Sequence, residues 1–203
     1  MKQLFTRATC VALLLAVTAM TASAANLLTN PGFEMGDLTG WLVFGVSGTS
    51  NVTVQSPDNG PSVAGTHNAF MDNQAMGLGL TLKQSTPSGS AAGGTVFYSF
   101  DLKVGQAANG GVFFVQIFAE QTGVGIVGTS GLLGNYSPAD WTTIQGSFEA
   151  PANTDFLSIQ FMANTGAVVG SVSSMHVDNV DLHQTPVVPV DSPTWSGLKA
   201  LYR

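Results

Sequence analysis

Thr95-Val-Phe-Tyr-Ser-Phe-Asp-Leu-Lys-Val104 is the stretch on which the fold turns. Val96, Tyr98, Phe100, Leu102 and Val104 fall on one side of an extended chain, and Phe97, Ser99, Asp101 and Lys103 on the other. That period of two belongs to a strand and not to a helix. The alternation recurs downstream. Val112 to Glu120 sets Phe113, Val115, Ile117 and Ala119 against Phe114, Gln116, Phe118 and Glu120, and Phe156 to Ala163 sets Leu157, Ile159 and Phe161 against Ser158, Gln160 and Met162. Shorter apolar runs predict further strands near Trp41 to Val46, Val52 to Gln55, His67 to Asn73, Leu78 to Gln84, Trp141 to Glu149 and Met175 to Leu182. Turns are marked by Pro57-Asp-Asn-Gly-Pro61, Ser88-Gly-Ser90 and Asn109-Gly-Gly111. No long segment repeats with a helical period, so residues 25–184 read as one all-β domain of the sandwich type.

The two ends have a different composition. Lys2 and Arg7 precede an apolar run from Val11 to Met20, followed by Ala22-Ser23-Ala24. Residues 1–24 therefore read as an export signal cleaved before Ala25. The apolar run is too short for a comfortable membrane span and nothing later approaches one, which predicts a secreted product in the extracellular space, at the cell surface or in the periplasm. Cys10, the only cysteine, leaves with the signal. Residues 185–203 form a Pro-rich linker, Thr185-Pro-Val-Val-Pro-Val190, and a short amphipathic peptide. In that peptide Asp191-Ser-Pro193 has the order of a helix start, and Trp195, Leu198, Leu201 and Tyr202 fall near one face. It reads either as a helix docked on its own domain or as a docking signal for an export or surface-assembly partner.

Charge narrows the partners. Six Lys and Arg, two of them in the signal, oppose twelve Asp and Glu, which makes nucleic acid a poor ligand. With 9% charged residues and 24 glycines, the surface is largely neutral and polar, suited to neutral sugars rather than phosphates.

The domain opens with Asn26-Leu-Leu-Thr-Asn-Pro-Gly-Phe-Glu34, followed by Gly36-Asp-Leu-Thr-Gly-Trp41. Asn-Pro-Gly is a turn in which Pro fixes φ and Gly is expected to supply a positive φ, while Phe33 and Trp41 are large enough to plug one end of a sandwich. This opening resembles that of the carbohydrate-binding modules attached to cellulases, xylanases and laminarinases. Three later segments match the same family in order. They are Leu82-Lys-Gln84 with Thr95 to Lys103, where the usual Tyr is shifted or replaced by Val96; Asp140-Trp141 with Gly146-Ser-Phe148; and Val177-Asp-Asn-Val-Asp-Leu182, where Asn179 replaces a second Asp. The resemblance implies a galactose-binding-like jelly roll.

It also implies a structural Ca²⁺ held by Glu34 and Asp178 where the first and last strands lie side by side, with backbone carbonyls completing a hard-oxygen shell. Asn179 in place of an acid would weaken that site. Without calcium, Glu34 caps the turn and Asp178 accepts backbone hydrogen bonds. For sugar, the outward stripe Phe114, Gln116, Phe118 and Glu120 offers apolar rings for a pyranose C–H face and polar groups for its hydroxyls. If the strands assemble as in the family, Phe97, Asp101, Ser158, Gln160, Phe70 and Asp72 share that concave sheet. Otherwise Phe114 and Phe118 are ordinary core. Trp41 and Trp141 read as core, and three scattered histidines give no zinc pattern. Glu34, Glu120 and Glu149 show no local catalytic pairing, and no nucleophile elbow or phosphate loop is present, so the chain reads as a non-enzymatic binder of neutral poly- or oligosaccharide. The competing reading is a structural or adhesive surface protein that uses the same sandwich for protein contacts.

Overall fold

The structure is a computed structural model, and it describes residues 24–133 and 139–185. The export signal as far as Ser23 and the linker and tail from Pro186 onward lie outside the described residues. Ten strands follow one another: β1 (Leu42–Phe44), β2 (Ser50–Gln55), β3 (Asn68–Asn73), β4 (Gly79–Ser85), β5 (Gly94–Ala108), β6 (Val112–Gln121), β7 (Gly125–Leu133), β8 (Thr142–Ala150), β9 (Phe156–Asn164) and β10 (Val172–Gln184). They form two antiparallel sheets with the orders β1-β4-β9-β6-β7 and β2-β3-β10-β5-β8. The fold is the all-β jelly-roll sandwich. Among the described residues no helix is long and apolar enough to cross a membrane.

Nine strands lie where alternation predicts them, with ends moved by a few residues. The tenth, β7, carries no alternation. Its sequence Gly-Ile-Val-Gly-Thr-Ser-Gly-Leu-Leu has three glycines and no clean period, because an edge strand with partly exposed faces needs no continuous apolar row.

Neighbours in sequence are not neighbours in the sheets. Only the Asn109-Gly-Gly111 turn separates β5 from β6, yet β5 pairs with β10 and β8 while β6 pairs with β9 and β7. The chain arches across the core at each such connection, and the inward rows of the two sheets meet there. Leu80, Leu82, Val115, Ile117, Ile159 and Phe161 come from one side, and Met71, Phe100, Leu102, Met175, Val177 and Leu182 from the other; all are fully buried. Burying a side chain of this size contributes about 1.5–3 kcal/mol.

The opening motif is keyed into this core. Leu27 N–H donates to Leu182 O and Val180 N–H to Pro31 O, so the first segment lies along the last strand. Phe33 is fully buried and starts a run of rings: Phe33 to Trp41 at 5.3 Å, Trp41 to Phe161 at 6.1 Å, and Phe161 edge-on to Phe100 at 5.3 Å. One detail departs from expectation. The positive φ angles of the turn belong to Asn30 (48°) and Phe33 (57°), not to Gly32. Gly32 meets no steric limit: a Cβ there would make ordinary contacts, 3.4 Å from Asn179 Oδ1 and 3.5 Å from Asp178 Oδ1, at the junction of the chain ends.

Candidate functional site

The stripe on β6 faces outward. Phe113, Val115, Ile117 and Ala119 are buried, while Phe114, Gln116, Phe118 and Glu120 are half-buried on the outer face of the first sheet. Register builds a surface around them. Gln116 lies opposite Gln160 of β9 on one side and Leu132 of β7 on the other; Gln160 lies opposite Lys83 of β4, and Lys83 opposite Leu42 of β1. The next row runs Phe44, Thr81, Met162, Phe114. Each step in a row is about 4.8 Å, so five strands give a band about 19 Å wide. Leu42, Phe44 and Leu132 stand more than half exposed on it, with two amides between them. Polar neighbours brace the rest: Glu120 accepts from Ser158 Oγ and from Lys83 Nζ, and Gln116 Nε2 donates to Thr129.

The band holds Phe114, Gln116, Phe118, Glu120, Ser158 and Gln160 together. Phe97, Asp101, Phe70 and Asp72 do not join it. They lie on β5 and β3 in the second sheet, on the far side of the core, which corrects the single-sheet expectation. Alternation assigns a residue to one of two faces but cannot say which sheet the strand enters. Lys83, Leu42, Phe44 and Leu132 were missed for the same reason, since only register carries them to Gln116.

Asp101 is also fully buried and so is no sugar contact. It lies directly opposite Asp178 on β10, where an extra residue between Asp178 and Asp181 bulges the strand. Like charges so placed repel. Donors from the loop after the Pro57–Pro61 turn, from β8 and from β10 resolve the conflict. Ser62 donates to Asp101 from N–H and Oγ, Thr143 from Oγ1 and Asn179 from Nδ2 at 2.8 Å. Burial pushes Asp101 up, but these bonds outweigh it and hold the carboxyl below the usual range. Asp178 yields instead: burial first, then the Asp101 and Glu34 charges, push it up to about 7 against bonds from the Gly60 and Asn179 N–H groups. Gly60 permits that approach, because a Cβ there would stand 2.4 Å from Asp101.

Glu34 sits on the other side of Gly32 and accepts the N–H groups of Thr66 and His67, each at 2.9 Å. Burial opposes its charge, yet those amides hold it below its ordinary value. Glu34, Asp178 and Asn179 thus border one small space beside Gly32. The donor set is hard oxygen, as calcium requires. Among the described residues no three carboxylates or imidazoles converge as a metal cluster, so a cation here would take part of its shell from backbone carbonyls.

Trp41 is core, but Trp141 is not. It lies partly exposed outside the second sheet, donates its indole N–H to Asp58, and has Lys103 Nζ 5.0 Å from its ring. Phe70 faces His176 there at 4.6 Å, and Lys103 pairs with Asp58. The cluster pins the Pro57–Pro61 turn to the sheet.

No family model matches the chain, and no curated protein does. Solved structures match its fold at low identity. The family 61 carbohydrate-binding module TmCBM61, in complex with β-1,4-galactotriose, is 15% identical with a TM-score of 0.55, over 80% of this chain and 100% of that one. A Stig cyclase from Fischerella sp. TAU is 19% identical with a TM-score of 0.57, over 79% and 97%. The enzymatically active domain of bacteriophage CBA120 tailspike protein 4 is 15% identical with a TM-score of 0.59, over 78% of this chain but only 21% of the tailspike chain. Carbohydrate-binding modules of families 22 and 16 share the sandwich too.

Proposed function

We propose that this is an exported, non-catalytic protein that binds a neutral oligo- or polysaccharide on the outer face of the first sheet. The observation that carries the reading is the pairing of Gln116 with Gln160 in a band flanked by Phe114, Phe118, Leu42 and Leu132. Two amides offer donors and acceptors to adjacent hydroxyls, and the rings and leucines offer a dry floor for C–H faces. The fold is shared with a module bound to β-1,4-galactotriose and with a xylan-binding domain, which supports it. The three glutamates support a non-catalytic role, since each is engaged within the sandwich: Glu34 by the Thr66–His67 turn, Glu120 by Ser158 and Lys83, and Glu149 by Thr95. A structural Ca²⁺ held by Glu34, Asp178 and backbone carbonyls would fasten the opening turn to β10; bound, it would supply the positive charge that two adjacent carboxylates lack.

The exposed Leu42, Phe44 and Leu132 favour one other reading, an adhesive surface protein whose partner covers this band. A glycan array with an insoluble-polysaccharide pull-down separates the two. Retention on a neutral glycan, weakened roughly two- to tenfold by Gln116→Ala through one lost hydrogen bond, is expected. Blank results on every neutral glycan would leave the adhesive reading. Folded Phe114→Ala protein with unchanged binding would remove the band as the site.

A further inference from the structure

The opposite sheet carries an aromatic and polar hollow that the band does not explain. On the outer face of β10, β5 and β8, register places His183, Phe97 and Ser147 in one row and Asp181, Ser99 and Gln145 in the next. These six, with Tyr98 and Gly146, line a hollow of about 470 Å³, within the range of small-ligand sites. Phe97 is 36% exposed, and its ring lies 5.4 Å from that of His183 with only 19° between their planes. The Asp181 carboxylate holds the His183 ring through Nδ1. Among the described residues, Asp181 Oδ1 and His183 Nε2 take no hydrogen bond. A positioned ring pair beside free donors and acceptors is a preorganised recognition surface and not a core feature.

The chemistry specifies the ligand. No Lys or Arg lines the hollow and one carboxylate does, so phosphates, sulfates and uronates are disfavoured. A neutral pyranose fits: its C–H face covers Phe97, while adjacent hydroxyls meet Asp181, His183 Nε2 and the Gln145 amide. Ser99 and Asp181 also line a second hollow of about 560 Å³ that runs on to the Asn30–Glu34 turn. The two hollows share these residues and so adjoin, which gives room for more than one sugar.

We propose that the second sheet bears an independent site for a neutral oligosaccharide, centred on Phe97, His183, Asp181 and Gln145, back to back with the band on the first sheet. The inference rests on the proposed sugar-binding function. Two such faces would let one chain bridge two glycan strands.

The test is an NMR and calorimetric titration of the purified protein with β-1,4-galactotriose, xylohexaose and a mixed-linked β-1,3-1,4-tetrasaccharide. The expected result is two sites per chain for at least one probe, with His183 ring signals shifting as the second fills. Phe97→Ala should remove that site alone and Phe114→Ala the other alone. Gln145→Ala, at an exposed position that cannot disturb the core, should weaken the second site by roughly two- to tenfold. One site that Phe114→Ala abolishes, with Phe97→Ala and Gln145→Ala unchanged and His183 signals fixed, overturns this proposal and leaves the first standing. A site lost only with Phe97→Ala supports the second face and overturns the first. No binding of any probe overturns both.

Discussion

Asn179→Asp is the sharpest perturbation of this molecule, because resemblance to the family and the geometry point in opposite directions. An acid is usual at this position in the modules that the chain resembles, so resemblance expects a harmless exchange. Here Asn179 Nδ2 donates to Asp101 Oδ2 at 2.8 Å and to Gly60 O at 3.1 Å. An ionised Asp would set two carboxylates at that separation, a repulsion of about 6 kcal/mol at an effective dielectric of 20. Protonation sets a lower ceiling. An acid with an unfolded pKa near 3.9 escapes by keeping its proton in the folded state, which at pH 7 costs about 4 kcal/mol. The smaller figure decides. The folded-state pKa of the new acid is raised, so its penalty is absent below about pH 4 and grows as pH rises toward that pKa. Thermal unfolding in chelator should fall by roughly 8–16 °C at pH 7 and by a few degrees at pH 4. Asn179→Ala, which removes the bonds without adding charge, should cost the same at both. A variant as stable as the wild type at pH 7, or equally destabilised at both pH values, would refute the account.

Three further outcomes follow from other parts of the molecule. Gly32→Ala needs no backbone change, since φ is not positive, and its methyl makes ordinary contacts at 3.4–3.8 Å with Asn179, Asp178 and Glu34; it should leave the chelator-treated fold intact while abolishing the calcium-dependent rise in melting temperature expected of the wild type. A wild type whose melting temperature ignores calcium would end the metal proposal. Burial, with the Lys103 charge adding and Asp58 opposing, pushes His176 down to about 4, so its ring signals should hold through pH 6.5 and titrate near 4. The matching stability is fully present above pH 6.5 and lost as pH falls toward 4, at most about 3 kcal/mol, and titration near 6.5 would contradict this. Phe161→Ala, fully buried between the sheets, should cost roughly 3–5 kcal/mol in urea unfolding, and the half-buried Phe114→Ala clearly less; equal losses would mean that Phe114 belongs to the core.

Much of the architecture is legible in the sequence. Local physics explains why: the pleat turns Phe113, Val115 and Ile117 one way and Phe114, Gln116 and Phe118 the other, whatever the strand pairs with. The Asn30–Glu34 turn and the buried Phe33 and Trp41 were legible too, because a tight turn and a large apolar plug leave strong residue signatures. The glycine-rich β7 left no such trace.

What the sequence determined by itself is thus the all-β class, the positions of nine of the ten strands and the two faces of those strands. The tertiary structure decided everything that depends on partners. It sent β5 and β6 into opposite sheets, set Gln160 beside Gln116, buried Asp101 against Asp178, and made Asn179 the donor that lets that pair coexist. The reason is physical. Alternation records a strand's preference between apolar and wet surroundings, whereas sheet order and register are fixed largely by contacts between residues far apart in the chain, such as Gln116 with Gln160 and Asp101 with Asp178.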